Sequence, residues 1–198
     1  MTELHSTPNK EQIALLEPFE RLGLSQIQVV ATPEQASMAL QELSAAAALG
    51  FDTESKPTFT KNELSDGPHI VQLATRHKAY IFQLYVADCR RVVAELLESP
   101  GIIKAGFGLG DDRRRLVSKL GVDPQGVLDL NTVFRKNGYR KDMGVRGAVA
   151  VVFNKRFIKS RKATTSNWAN ARLSEAQLIY AANDAYAAFR VFQELGLG

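Results

Sequence analysis

Leu49-Gly50-Phe51-Asp52-Thr53-Glu54-Ser55 is the stretch around which the rest of the chain falls into place. An alanine-rich run precedes it and reads as a helix closing at Gly50. A short strand, Phe51 to Glu54, follows and ends in two carboxylates one residue apart. Side chains at i and i+2 of a strand share a face, so Asp52 and Glu54 aim at one spot. Two carboxylates placed together repel unless something positive lies between them. For hard oxygen donors that object is commonly Mg²⁺ or Mn²⁺. Alone, such a pair is an ordinary solvated strand end, and its meaning depends on what the chain adds to it.

The chain has 198 residues, 45% of them hydrophobic and 23% charged, an ordinary globular composition. One domain is expected over 25–198, preceded by an extension with a short helix over 1–24. The single cysteine, Cys89, excludes an internal disulfide and a cysteine-based zinc site, and three scattered histidines argue against a histidine-rich one. The start lacks a basic segment followed by an apolar one, and no apolar run approaches a membrane span, so a cytoplasmic protein without membrane association is expected. Charge is uneven. Residues 101–198 carry 17 Lys+Arg against 8 Asp+Glu, net +9, which leaves 8 against 13, net −5, for residues 1–100. Arg135 to Lys162 holds ten basic residues and one acid, Asp142, a patch suited to phosphates.

Asn9 and Gln12 form a capping-box pattern for a first helix, with Pro18 interrupting it or opening a second piece to Leu22. Ile27 to Ala31 reads as a strand. Thr32-Pro33-Glu34-Gln35 starts a helix that runs to about Leu49. A rim loop is expected over 55–68. Ile70–Ala74 and Ala79–Phe82 read as a hairpin that pairs with the Phe51 strand. Asp88–Leu97 is an amphipathic helix, and Ile102–Phe107 a strand ending in Gly106-Phe107-Gly108. No Gly-Lys-Ser/Thr follows, which excludes a P-loop. Leu109 to Leu120 is helical, and Asp112 shares the side of Leu109 and Leu116 while Asp111 faces water. A carboxylate on a core-facing stripe needs a partner. Val127–Leu130 is a strand, Val145–Phe153 an apolar helix, and Lys155–Thr165 a basic loop. The last helix, opened by Leu173-Ser174-Glu175-Ala176, carries Tyr180 and Asp184 one turn apart. Its alanine-rich run would let it approach the sheet closely.

Asp52, Glu54, Asp112 and Asp184, brought together from three elements, would bind two divalent cations suited to an in-line phosphoryl displacement. The order Phe51-Asp52-Thr53-Glu54, then Lys104-Ala105-Gly106-Phe107-Gly108 with Asp112 and Leu116, then Tyr180-Ala181-Ala182-Asn183-Asp184-Ala185-Tyr186 resembles the DEDDy 3′–5′ exonucleases. Ser166-Asn167-Trp168 ahead of the last helix adds to the resemblance. Within the family the chain looks most like the group typified by the Werner syndrome helicase exonuclease domain and its free-standing bacterial relatives. It is more distantly similar to ribonuclease D.

The resemblance implies an α/β ribonuclease H-like exonuclease fold, a mixed sheet of about five strands flanked by helices. It implies metal-ligand roles for Asp52, Glu54, Asp112 and Asp184 toward two Mg²⁺ or Mn²⁺ ions, with Tyr180 orienting the attacking water. The expected activity is removal of nucleoside 5′-monophosphates from the 3′-hydroxyl end of DNA. RNA trimming is an alternative, and a non-catalytic nucleic-acid-binding module a weaker one. Candidate substrate contacts are Thr53, Ser55 and Phe107 near the acids, and Lys159, Arg161 and Lys162 for the backbone. Ser55 stands where relatives often carry an aromatic or aliphatic residue, and Gly144–Phe153 departs from the usual Ser-Leu-rich helix. Trp168 is expected to be a core anchor.

Overall fold

The computed structural model describes residues 5–58 and 66–197. Among these, six strands form one mixed sheet: β1 (Ile27–Val30), β2 (Ala48–Glu54), β3 (Ile70–Ala74), β4 (Ala79–Gln83), β5 (Ile103–Gly106) and β6 (Val127–Asp129). Their order is β1-β4-β3-β2-β5-β6. β3 lies between β2 and β4 and is antiparallel to both, as the hairpin pattern predicts. β5 and β6 extend the sheet parallel to β2, and β1 lies parallel to β4 at the far edge. The sheet therefore has one strand more than expected.

The helices are α1 (Lys10–Ala14), α2 (Pro33–Leu43), α3 (Ala87–Glu98), α4 (Leu109–Leu120), α5 (Leu130–Lys136), α6 (Gly144–Phe153), α7 (Arg161–Thr164) and α8 (Glu175–Glu194). They cover both faces. Strand parity sends Val71, Leu73, Tyr80 and Phe82 into a core with α2 and α3, including Leu43, Val92, Val93 and Leu96. Ile70, Ala74 and Ile81 point the other way, into a core built on α8. β3 and β4 are thus buried along their whole length, and apolar except for Gln72 and Gln83, because both faces are covered.

Two expectations are corrected. Helix α2 ends at Leu43 rather than near Leu49, and β2 begins at Ala48. The helix-favouring alanines lose to parallel pairing of Ala48, Leu49 and Gly50 with β5. Gly50 lies inside the strand, where a Cβ would sit 1.9 Å from the Ala185 carbonyl oxygen on α8. It is there for close approach, not to end a helix. Residues 18–22 are also not helical. Phe19 N–H donates to the Arg156 carbonyl at 2.9 Å, and Leu22 N–H to Asn183 Oδ1 at 2.8 Å, so this segment is pinned in extended form to the C-terminal half. Phe19 and Leu22 are buried there. The basic loop is interrupted by the short α7. Of the rim loop expected over 55–68, residues 59–65 lie outside the described residues, as do residues 1–4 of the N-terminal segment.

Candidate active site

The acids converge where the C-terminal ends of β2 and β5 meet α4 and α8. In β2, Gly50, Asp52 and Glu54 face α8, and the alanine-rich stripe of α8, with Ala185 against Gly50, lets the helix lie close. A capping box on Ser174 and Gln177 fixes where α8 starts, and Gln177 Nε2 also donates to the Asn167 carbonyl at 3.2 Å. Trp168 is 1% exposed, and its ring lies 5.9 Å from that of Tyr180. The Ser-Asn-Trp stretch is therefore an anchor that sets the first turns of α8.

Asp52, Glu54 and Asp184 each present a carboxylate oxygen, and these atoms all lie within 4.8 Å of one another. Asp184 is 4% exposed, and its Oδ1 has no hydrogen-bond partner among the described residues. Three converging carboxylate oxygens, one of them buried and unpartnered, fit a hard divalent cation. Asp112 lies outside this group of three but close enough for its charge to act on Asp52. The Thr53 hydroxyl, pointing away from Asp52, donates to Asp112 Oδ1 at 2.6 Å. The core-facing position of Asp112 follows from Leu109 and Leu116 being buried on the same side, while Asp111 is exposed and pairs with Arg114.

Electrostatics reflect this crowding. Burial and the carboxylates of Asp184, Glu54 and Asp112 push Asp52 well above the ordinary aspartate range. Glu54 rises to about 8, through burial and then the Asp184 charge, with Lys159 opposing. Burial raises Asp112 as well, against the Thr53 hydrogen bond. Burial raises Asp184 despite its lysine partner. The Tyr180 phenol is raised by burial and by the Asp184 and Glu54 carboxylates, which keeps it protonated at neutral pH.

The structure separates the remaining candidates. Lys159 lies inside the site, its Nζ 3.1 Å from Asp184 Oδ2 and 5.0 Å from the Tyr180 ring centre. Phe107 is half-buried, stacks on Phe134 at 6.4 Å, and with Asp52, Asp184, Lys159, Gly144 and Val145 lines a cavity of about 170 Å³. Ser55 abuts Gly67, where a Cβ would sit 2.1 Å from its hydroxyl. Lys162 is exposed on α7, and the side chain of Arg161 lies outside the described residues. One residue escaped the sequence reading. Gln72 pairs across the sheet with Asp52, is fully buried, and has neither amide atom hydrogen-bonded among the described residues. Its signal was a lone amide at the centre of the apolar run Ile70-Val71-Gln72-Leu73-Ala74.

Residues 27–197 match the family model described as 3′-5′ exonuclease. The mouse bifunctional 3′-5′ exonuclease/ATP-dependent helicase WRN is 31% identical over 150 residues, which cover 75% of this chain and 11% of that protein. A 3′-5′ exonuclease of Arabidopsis thaliana is 28% identical over 154 residues, 77% of this chain and 54% of that one. The chain thus spans about half or less of the length of these relatives. Among solved structures, Trypanosoma brucei RNase D in complex with RNA U12 superposes with a TM-score of 0.76 at 22% identity, covering 85% of this chain and 62% of that chain. The mixed sheet flanked by helices is the ribonuclease H-like exonuclease fold.

Proposed function

The chain belongs to the 3′–5′ exonuclease family, and on that premise we propose that it is a two-metal enzyme that removes nucleoside 5′-monophosphates from the 3′-hydroxyl ends of DNA. The observation that carries this reading is the meeting of Asp52, Glu54 and Asp184 oxygens within 4.8 Å, with Tyr180 one turn from Asp184. We take residues 25–198 as the exonuclease unit and 1–24 as an extension.

Asp52, Glu54 and Asp184 would hold one divalent cation, and Asp112 with Asp52 a second, Mg²⁺ or Mn²⁺ in each case. When bound, the pair supplies a lowered water pKa and charge stabilisation at the leaving oxygen. The chain supplies position. Thr53 fixes the Asp112 carboxylate by its hydrogen bond, so Thr53 acts on the metal side rather than on the substrate base. Tyr180, protonated and held between Trp168 and Lys159, orients the attacking water and is a poor general base. Phe107, at the wall of the cavity beside Asp52 and Asp184, offers a ring to the terminal base. The basic segment around Arg161 and Lys162 offers cations to the backbone phosphates.

DNA is favoured because the motif set matches the Werner-type group. A second reading, exoribonuclease, has support from the fold likeness to an RNase D solved with RNA. Discrimination turns on contacts to the 2′-hydroxyl. DNA and RNA oligonucleotides of one sequence, offered separately with Mn²⁺ or Mg²⁺, test the assignment. Faster release of monophosphates from DNA is expected, and preferential digestion of RNA replaces it with the second reading.

A further inference from the structure

Lys159 is the unexpected member of the site. Lysine is a strongly hydrated point charge that is seldom drawn into a half-buried position without a counter-charge. Here its side chain is 34% exposed, and its ammonium sits 3.1 Å from Asp184 Oδ2, a carboxylate that is itself 4% exposed. The same ammonium lies over the Tyr180 ring and lines the cavity that Asp52 and Asp184 share. Three carboxylates this close cannot all stay ionised without compensation. Among the described residues, Lys159 is the basic side chain paired with any of these three acids.

Resting on the two-metal reading of this site, we propose that Lys159 is a tethered cation that occupies the Asp184 carboxylate in the metal-free protein and competes with the divalent metal for it. Lys159 holds Asp184 Oδ2 while Oδ1 is free for a metal, but a doubly charged ion at Oδ1 stands within a few ångströms of the ammonium, and the Coulomb repulsion between them drives Lys159 off the carboxylate. The flexible four-carbon stem permits that movement. The lysine would thereby set how much free metal the enzyme needs, and leave an ammonium at the cavity mouth once the metals are in place.

The test is Mn²⁺ binding by calorimetry to the chelator-treated, dialysed 198-residue chain. Lys159→Met is expected to bind Mn²⁺ at least about five-fold more tightly than wild type, the water-screened value for two unit charges about 4 Å apart. Lys159→Arg, which keeps the charge, should stay near wild type. Equal or weaker Mn²⁺ binding by Lys159→Met overturns the proposal. A second measurement needs no variant. Acylation of the Lys159 amine by an amine-reactive ester, read by mass spectrometry, should be slow in chelator and rise several-fold when Mn²⁺ is added. Labelling that is unchanged or slowed by Mn²⁺ overturns it as well. Failure of wild type to bind Mn²⁺ at all would remove the two-metal reading itself, an outcome distinct from tight binding that is indifferent to Lys159.

Discussion

Glu54 holds its proton up to a pH of about 8, against an ordinary value of 4.5. Between those values the folded, metal-free protein binds more protons than the unfolded chain, so its stability falls as pH rises. Chelator-treated protein is therefore expected to melt at lower temperature at pH 8.5 than at pH 5.5, and Glu54→Gln should reduce that difference. His69, lowered by burial, acts in the opposite direction, which is why the comparison between variants is the informative one. A slope that is the same in both proteins would count against Glu54 as the titrating group. Metal must also displace this proton, so Mn²⁺ affinity should climb with pH up to about 8 and binding should release protons. Thr53 offers another test. Thr53→Val removes the 2.6 Å hydrogen bond to Asp112, and roughly a ten-fold loss of metal affinity or turnover is expected, as for other residues that orient metal ligands. Unchanged values in calorimetry and steady-state kinetics would mean that Asp112 needs no such support. Sequence alone distinguishes Asp112 from Asp111, because a helical stripe is local. It could not place Lys159 on Asp184, since the two are joined only by the path of the chain from α6 through α7 into α8.

At the scale of elements, the contact between β2 and α8 decides the site, because it joins the strand acids to Tyr180 and Asp184. Gly50 is its narrowest point. A methyl group there meets the Ala185 carbonyl oxygen at 1.9 Å and Phe189 Cβ at 2.8 Å, so the helix must move. Gly50→Ala is expected to cost roughly 1–3 kcal/mol or more in urea denaturation, with turnover falling further than stability explains. Gly23→Ala, with nothing within 4 Å, is the control and should be near neutral. Equal effects at the two glycines would show that the close approach is unimportant. The early end of α2 has a different cause, the pairing of β2 with β5. The local signal, four consecutive alanines before Gly50, favours helix, and only the sheet partners of Ala48–Gly50 overrule it. The hairpin, α4 and α8 were legible because each carries its own periodicity and end signals. The extended course of residues 18–22 was not, because its hydrogen bonds go to Arg156 and Asn183, far along the chain.

Across the whole molecule, the chain is divided between an acidic first half, net −5, and a basic second half, net +9. Strands β1 to β4 come from the first, while α5, α6 and α7, which carry Arg135, Lys136, Arg146, Arg161 and Lys162 and no acid, come from the second. Double substitution of Arg161 and Lys162 by alanine should weaken binding to all sequences alike and lower the salt slope by about one unit for each lost phosphate contact. An unchanged slope in a filter-binding series would place the strand elsewhere. Among the described residues no helix is long and apolar enough to cross a membrane. The fold class was legible from strand and helix order, and the family from three motifs in sequence. The choice between DNA and RNA was not, because it depends on contacts to a 2′-hydroxyl that neither composition nor periodicity encodes. The most direct measurement is release of nucleoside 5′-monophosphate from a 3′-hydroxyl DNA strand by wild type, Asp52→Ala and Asp184→Asn, each with Mn²⁺ and with chelator. Release by wild type with Mn²⁺ alone, and at least about a thousand-fold less by either variant, is expected for a site built on these carboxylates. Release that survives chelation, or that Asp52→Ala and Asp184→Asn leave intact, would show that the chemistry lies elsewhere.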